Sequence, residues 1–366
     1  MAEKVKKSAG KRAVKIVVIV LCVLVILFSV VSFFATKSVF NDMFGRADIP
    51  EYTAFIRYDD VSDKYDREEV SFKSGENTLK GHIYGNENNE KGLVVISHGL
   101  GGYSESYFGE IRYFVDNGYK VIAYDNTGSG NSEGEGTTGM AQSAIDLDSA
   151  LTFAESDERL NSLPFFLYGH SWGGYAVTAV LDNGHDITAV ASVAGYNSPM
   201  GIIYEFGQDM LGKPFAFIEY PFMWLNNKLL FGSEANVSAV DSINSTDTAV
   251  LIIHGTGDET ILYDGASIIA QKENITNPNV EYRTIEGVTN GHNSLFYTEN
   301  AYNYQQELNK VYDELEEKYN GEIPDDAEQE FRNSVDKNKT SELSDEVTKN
   351  VDEFYMNALK NQGGKS

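Results

Sequence analysis

Cysteine is all but missing: Cys22 stands alone among 366 residues. No intramolecular disulfide and no cysteine-rich metal site can form. The lack of disulfides still leaves an extracellular address open. Positive charge is scarce as well, with 29 Lys and Arg against 55 Asp and Glu and a formal net charge of −26. Nucleic-acid binding needs clustered cations along a phosphate track, so that class of partner is set aside. The acidity bears on solubility and repulsion rather than on fold. Histidine occurs at six positions only: His82, His98, His170, His185, His254 and His292. No internal repeat and no low-complexity tract interrupts the chain.

Much of the positive charge gathers at the start. Residues 1–15 hold Lys4, Lys6, Lys7, Lys11, Arg12 and Lys15 against Glu3 alone. A run without charge follows, "IVVIVLCVLVILFSVVSFFA", Ile16 to Ala35. At helical rise it spans roughly 30 Å, the thickness of a bilayer's hydrocarbon core. A basic flank before such a run keeps that end in the cytoplasm. The expectation is a signal-anchor: a single-pass protein of the cell membrane with its N-terminus inside and its main domain outside. A cleavable signal peptide is the competing reading, but its apolar region is shorter and ends in a small-x-small site. Residues 1–15 then form a basic cytoplasmic tail, 16–35 the transmembrane segment and 36–66 a tether.

Apolar residues make up 42% of the chain and charged residues 23%, as in ordinary globular domains. From Glu68 onward, "EEVSFKSG" and "TLKGHIYG" alternate apolar and polar residues, as antiparallel strands with one wet face do. Short continuous apolar runs come next: Leu93–Ile96, Val121–Tyr124, Phe165–Tyr168, Val190–Val193 and Val250–Ile253. Helical candidates lie between them at Glu105–Asn117, Met140–Glu155 and Trp172–Leu181. This alternation predicts an α/β fold, a mostly parallel sheet flanked by helices. Residues 201–231 hold eight aromatics and read as an inserted helical lid, placed at 199–240. The domain core is expected over 67–300. Acidic helical patterns over 301–366 complete it, with apolar stripes through Leu308 to Tyr319 and Leu343 to Leu359.

One short stretch concentrates chemistry. In "LYGHSWGGYAV", Gly169-His170-Ser171-Trp172-Gly173 fits G-x-S-x-G, between an apolar strand and a helix-like segment. A serine there projects at the carboxyl edge of the sheet beside a helix N-terminus, which favours developing negative charge. A serine hydroxyl needs a base to become a nucleophile. In the order nucleophile, acid, base that accompanies such an elbow, the acid follows a later strand. "AVLIIHGTGDETI" supplies Asp258, with Glu259 as its nearest stand-in. Beyond Asp258 there is one histidine, His292, in "TNGHNSLF". The catalytic candidates are therefore Ser171, Asp258 and His292. In "VVISHGLGGYSE" the glycines leave backbone N–H groups free to face the site, so the amides of Leu100 and Trp172 are expected to form an oxyanion hole.

Taken together, His98-Gly99, "YDNTGSGNSEG" (Tyr124–Gly134), Gly169–Gly173, "HGTGDETI" (His254–Ile261) and Gly291-His292 make the chain resemble an α/β-hydrolase. It is similar to the serine aminopeptidase and monoacylglycerol-lipase-like group. The resemblance implies a Ser-His-Asp hydrolase of esters, amides or thioesters, with no metal and no organic cofactor. The membrane segment and the long acidic stretch after His292 depart from the pattern. They bear on substrate and surroundings rather than on chemistry.

The expected function is membrane-anchored hydrolysis of a carboxylic ester, lipid-like or another acyl substrate, through an acyl-enzyme. A peptidase or acyltransferase with the same triad is the alternative. Peptidase action on a free amino terminus needs an acidic site, for which Glu205, Asp209 and Glu219 in the lid are candidates. An inactive hydrolase fold used as a binding module is the non-enzymatic reading. His98 and His254 are expected to brace loop backbone, His170 to pack behind the serine, and Asp125 to cap its loop. The lid aromatics serve either packing or an apolar acyl site.

Overall fold

A computed structural model describes residues 2–363. The side chains of Lys4, Lys6 and Lys7 in the basic tail, and the last three residues of the C-terminal segment, lie outside the described residues.

The alternating segments form a hairpin, β1 (Arg67–Ser74) and β2 (Asn77–Tyr84). Val70, Phe72 and Ser74 point inward between exposed neighbours, the one-sided burial that the pattern predicted. The continuous apolar runs form β3 (Leu93–Ser97), β4 (Lys120–Tyr124), β5 (Phe165–His170), β6 (Ile187–Val193) and β7 (Ala249–Gly255). β3, β5 and β6 are buried throughout, because helices cover both faces of the sheet. β8 (Val280–Ile285) closes the edge. The eight strands lie in the order β1-β2-β4-β3-β5-β6-β7-β8. β2 pairs antiparallel with both β1 and β4, and all later pairings are parallel.

The first helix, α1 (Ala2–Met43), carries the apolar run. α2 (Phe108–Asp116) packs on one face of the sheet, and α3 (Gln142–Ser156) and α4 (Trp172–Ala179) on the other. Between β6 and β7 the chain leaves the sheet as α5 (Pro199–Leu211) and α6 (Lys213–Phe231), then returns through α7 (Ala239–Asn244). Ser198 caps α5 by accepting from the Gly201 N–H, and Pro199 follows at the first turn. After β8 come α8 (Glu299–Tyr319), α9 (Asp325–Ser334), α10 (Lys337–Thr340) and α11 (Thr348–Gly363). α11 joins α2 on its face: Tyr355 stacks on Phe166 with ring centroids 4.7 Å apart and donates its hydroxyl to the Leu167 carbonyl at 2.6 Å. By contrast α8 buries only Ala301 fully, and its Tyr312 meets Phe331 of α9.

The segment expected as a tether is neither unstructured nor free. α1 runs on through Met43, so residues 36–43 are helical. Beyond it the chain docks on the domain. The Arg46 guanidinium donates to the carbonyls of Ser132 and Gly134 at 3.0 and 2.9 Å, and Phe44 and Ile56 are buried. Its place between the apolar run and the first strand pattern marked this stretch as a tether. Its hydrogen bonds to the 126–136 loop are tertiary and leave no periodic trace.

Candidate active site

The site begins at the end of β5, where the chain must turn from strand into helix within one residue. Ser171 makes that turn at φ 56°, ψ −113°, a left-handed backbone that L-residues other than glycine rarely adopt. Its N–H donates to the Val193 carbonyl at 2.9 Å and its carbonyl accepts from Tyr175 at 3.0 Å, which holds the strained residue in place. The glycines around it are there for space. A side chain at Gly169 would run into the Gly173 carbonyl, and one at Gly173 into the Ser97 carbonyl of β3. The turn can thus press against the neighbouring strand while the serine side chain stays on top.

Asp258 follows β7 in a tight loop. Its Oδ1 accepts from the amides of Thr260 and Ile261 at 2.9 and 2.8 Å. Its Oδ2 lies 2.7 Å from His292 Nδ1 and 3.1 Å from His254 Nε2. Burial is the largest influence on this carboxyl and opposes its charge. Hydrogen bonds from His254 and His292 and from the Ile261 amide overcome it together, and hold the group well below the usual carboxylate range. Asp258 is therefore an anion fixed by four donors. An anion at Nδ1 assigns the proton of His292 to that nitrogen and leaves Nε2 as the basic one.

His292 is buried except for a sliver, and it lines a cavity of about 410 Å³ together with Ser171, Leu100 and Trp172. All five residues singled out from the sequence for catalysis or the oxyanion thus meet at one place, with Asp258 directly behind His292. Among the described residues no hydrogen bond joins Ser171 Oγ to the His292 ring. Such contacts are often long without substrate and tighten on binding. The Leu100 N–H donates to no protein group among the described residues. The N–H of Trp172, at the first position of α4, has no acceptor within its helix. The Trp172 indole is fully buried and donates to the Met140 carbonyl at 3.0 Å, so this residue is fixed beneath the cavity.

The remaining histidines brace the loops. His98 Nδ1 donates to the Gly99 carbonyl at 2.8 Å, and its Nε2 accepts from the Asn126 amide at 2.9 Å. His254 Nε2 faces both the Ile261 carbonyl, at 2.9 Å, and Asp258. His170 does more than pack. The Tyr107 hydroxyl accepts from the Gly99 amide at 3.0 Å and donates to His170 Nδ1 at 2.6 Å. His170 Nε2 in turn donates to the His292 carbonyl at 3.1 Å. One chain of hydrogen bonds therefore ties the Gly99 loop to the loop of His292. Burial, and then the neighbouring His292, push the His170 pKa far down, so its ring stays neutral in this role. Asp125 caps its loop, accepting from the amides of Ser104 and Asn131, each at 2.8 Å.

The acids of the lid are not in the cavity. Glu205 accepts from the amides of Leu262 and Ala266 at 3.0 and 2.7 Å, and Glu219 accepts from the Ser32 hydroxyl of α1 at 2.9 Å. The carboxyl that lines the cavity is Glu110 of α2. It is buried, and burial raises its pKa to about 7, against small opposing effects of its own backbone and Arg112. Sequence reading passed over this residue. Its signal was an acid on the apolar face of a helix, three residues after Tyr107 and four before Phe114, both buried.

A family profile described as serine aminopeptidase, S33, matches residues 88–211, which run from before β3 through α5. Proline iminopeptidase of Chitinophaga pinensis is 33% identical over 88 residues, 24% of this chain and 29% of that protein. Monoglyceride lipase of Saccharomyces cerevisiae is 31% identical over 90 residues, again 24% of this chain and 29% of that protein. An esterase of Pyrococcus furiosus superposes with a TM-score of 0.52 at 16% identity, over 75% of this chain and 98% of the other. An alpha-beta hydrolase of Vibrio vulnificus gives 0.53 at 17% identity, over 70% and 87%. The chain has the fold of the α/β-hydrolases. The aligned sequence segments span less than a third of either relative. The two superpositions reach across most of the chain and show its fold.

Proposed function

We propose that this chain is an α/β-hydrolase, a membrane-anchored serine hydrolase that cleaves a carboxylic ester through an acyl-enzyme. The observation that carries the reading is the Asp258–His292 pair at 2.7 Å, opening into one cavity with Ser171 on a strained turn. Ser171 Oγ attacks the acyl carbonyl while His292 Nε2 takes its proton. Asp258 keeps the ring oriented and stabilises the imidazolium. The amides of Leu100 and Trp172 receive the oxyanion. Collapse of the tetrahedral intermediate expels the alcohol, which leaves with the proton from His292, and the acyl group stays on Ser171. Water then gives its proton to His292 and hydrolyses the acyl-enzyme. None of these steps calls for a metal or an organic cofactor.

The anchor reading rests on α1, whose residues Val14 to Val31 are largely exposed and apolar. With the basic flank inside, the hydrolase domain lies outside the cell. A peptidase reading has one observation in its favour, Glu110, which could pair with a substrate amine inside the cavity. A binding module would have no use for the complete set Ser171, Asp258 and His292.

Turnover of p-nitrophenyl esters and of aminoacyl arylamides by the full chain in detergent separates these readings. The expected result is ester hydrolysis that falls by about a thousandfold or more in Ser171→Ala. Arylamide turnover without ester turnover would replace the esterase by the peptidase, and turnover of neither would favour the binding module.

A further inference from the structure

Helix α6 is apolar on both sides. Ala216, Met223, Asn226, Asn227 and Phe231 face inward. The outward side presents Phe217, Ile218, Trp224, Leu225 and Leu229, with Phe217 74% and Leu229 67% exposed. Lys213, Glu219 and Lys228 are its only charged residues, and the Glu219 carboxylate is occupied by Ser32. A helix apolar all round belongs in a protein core or in lipid. A soluble protein rarely exposes a contiguous apolar patch of this kind.

The neighbour of α6 tells which it is. Its middle packs against α1 inside the apolar run: Phe222 meets Phe28 edge-on at 6.0 Å between ring centroids, and Asn226 donates to the Phe33 carbonyl at 3.3 Å. Lys37 is the first charge after that run. At helical rise Ser32 lies about 8 Å, and Phe28 about 14 Å, below Lys37. Of the polar groups of α1 at this depth, Ser32 and Thr36 are buried under the lid, and Ser29 donates its hydroxyl back to the Val25 carbonyl at 2.9 Å. The exposed apolar face of α6 is thus continuous with the exposed apolar face of α1.

Between α1 and the lid is a second cavity, of about 470 Å³, lined by Ala35, Val39, Phe40 and Met43 of α1, by Phe206 of α5 and by Phe215 and Glu219 of α6, among others. Phe206 also lines the cavity that holds Ser171. We infer that α6 is immersed in the outer leaflet beside α1, and that the cavity between them passes the acyl chain of a bilayer-dissolved ester, past Phe206, to Ser171. This rests on the anchored-hydrolase reading above and names the phase from which its substrate comes. Lateral entry fits the site, since it brings the ester to Ser171 with its chain still in apolar surroundings.

The chain has two tryptophans, Trp224 on the outward face of α6 and Trp172 buried under the active site. The full chain is reconstituted in phosphatidylcholine vesicles whose acyl chains are or are not brominated. Emission lost by quenching in wild type, about half of the total for a residue at acyl depth, and absent in Trp224→Phe, is the expected result. Equal emission in both vesicles overturns the immersion of α6, whatever the enzyme does. For the route, Val39→Trp and Ala35→Phe narrow the second cavity without touching the triad. Each should lower hydrolysis of vesicle-borne p-nitrophenyl palmitate about tenfold while aqueous p-nitrophenyl acetate turns over within about twofold of wild type. Unchanged palmitate turnover in both variants overturns the route. Failure of wild type to hydrolyse acetate would instead remove the hydrolase reading, and the quenching result would stand apart from it.

Discussion

Two buried carboxyls close to the same cavity are pushed in opposite directions, and the cause lies in their donors. Asp258 receives two amides and two imidazoles and stays an anion. Glu110 is equally out of water but has no such partners among the described residues, so burial wins and its carboxyl rises from 4.5 to about 7. The signs for stability follow. The folded pKa of Glu110 lies above its unfolded value, so the folded state binds the extra proton between about 4.5 and 7. Its contribution is full below that window and is lost as pH rises through it. Asp258 is depressed, so its contribution is present above its unfolded value and lost on acidification. Glu110→Gln should therefore stabilise the protein at pH 8, by roughly 3 kcal/mol at most, and flatten the decline between pH ~5 and ~7. Urea denaturation in detergent across that range checks it, and an unaltered pH profile would show that Glu110 is solvated. Ser171, Asp258 and His292, which the structure brings to one place, could be picked out because spacing and order restrict them: one elbow serine, one acid after a late strand, one histidine beyond it. Glu110 could not, because an acid on a helix is ordinarily read as a solvated face.

At the scale of elements, strands were the easiest to read. A parallel strand between two helical layers must be apolar on both sides, and β3, β5 and β6 are. Helices on the sheet faces announced themselves by the 3.6 period, α11 most clearly through Val351, Phe354, Tyr355 and Ala358. What the sequence concealed is which element lies on which. Nothing in the pattern of α6 says that it covers Ser32 and Thr36 of α1, and nothing in residues 44–57 says that they bind the 126–136 loop. The apolar stripe of α8 likewise promised more burial than α9 alone provides. The docking of residues 44–57 depends heavily on Arg46, which reaches the Ser132 and Gly134 carbonyls. Hydrogen bonds from a charged donor contribute about 1.5–3 kcal/mol each when made. Arg46→Ala should release this segment, and limited proteolysis should then cut between residues 44 and 57 faster than in wild type, with the sheet still protected. Equal cutting rates would mean that buried Phe44 and Ile56, with the backbone hydrogen bonds of Phe44, Ala47 and Ile56, hold the segment without Arg46.

The whole molecule couples an acidic domain to an apolar base made of α1 and the lid. The net charge of −26 repels anionic headgroups, so on the proposed reading apolar burial rather than surface attraction holds the domain at a membrane. On that reading the basic flank before α1 sets the direction of insertion. Protease added to intact cells should degrade the domain and leave a fragment containing α1, whereas protection until the cells are opened would reverse the topology. The proposed position of the domain and its proposed substrate supply both depend on that orientation. The account as a whole stands on Ser171 being a nucleophile served by His292. Mass mapping of the full chain after reaction with a fluorophosphonate tests this most directly. The account predicts one covalent adduct on the peptide carrying Ser171, absent in Ser171→Ala and slowed by about three orders of magnitude in His292→Ala. An unlabelled wild type, or an adduct on a different residue that persists in Ser171→Ala, would contradict it.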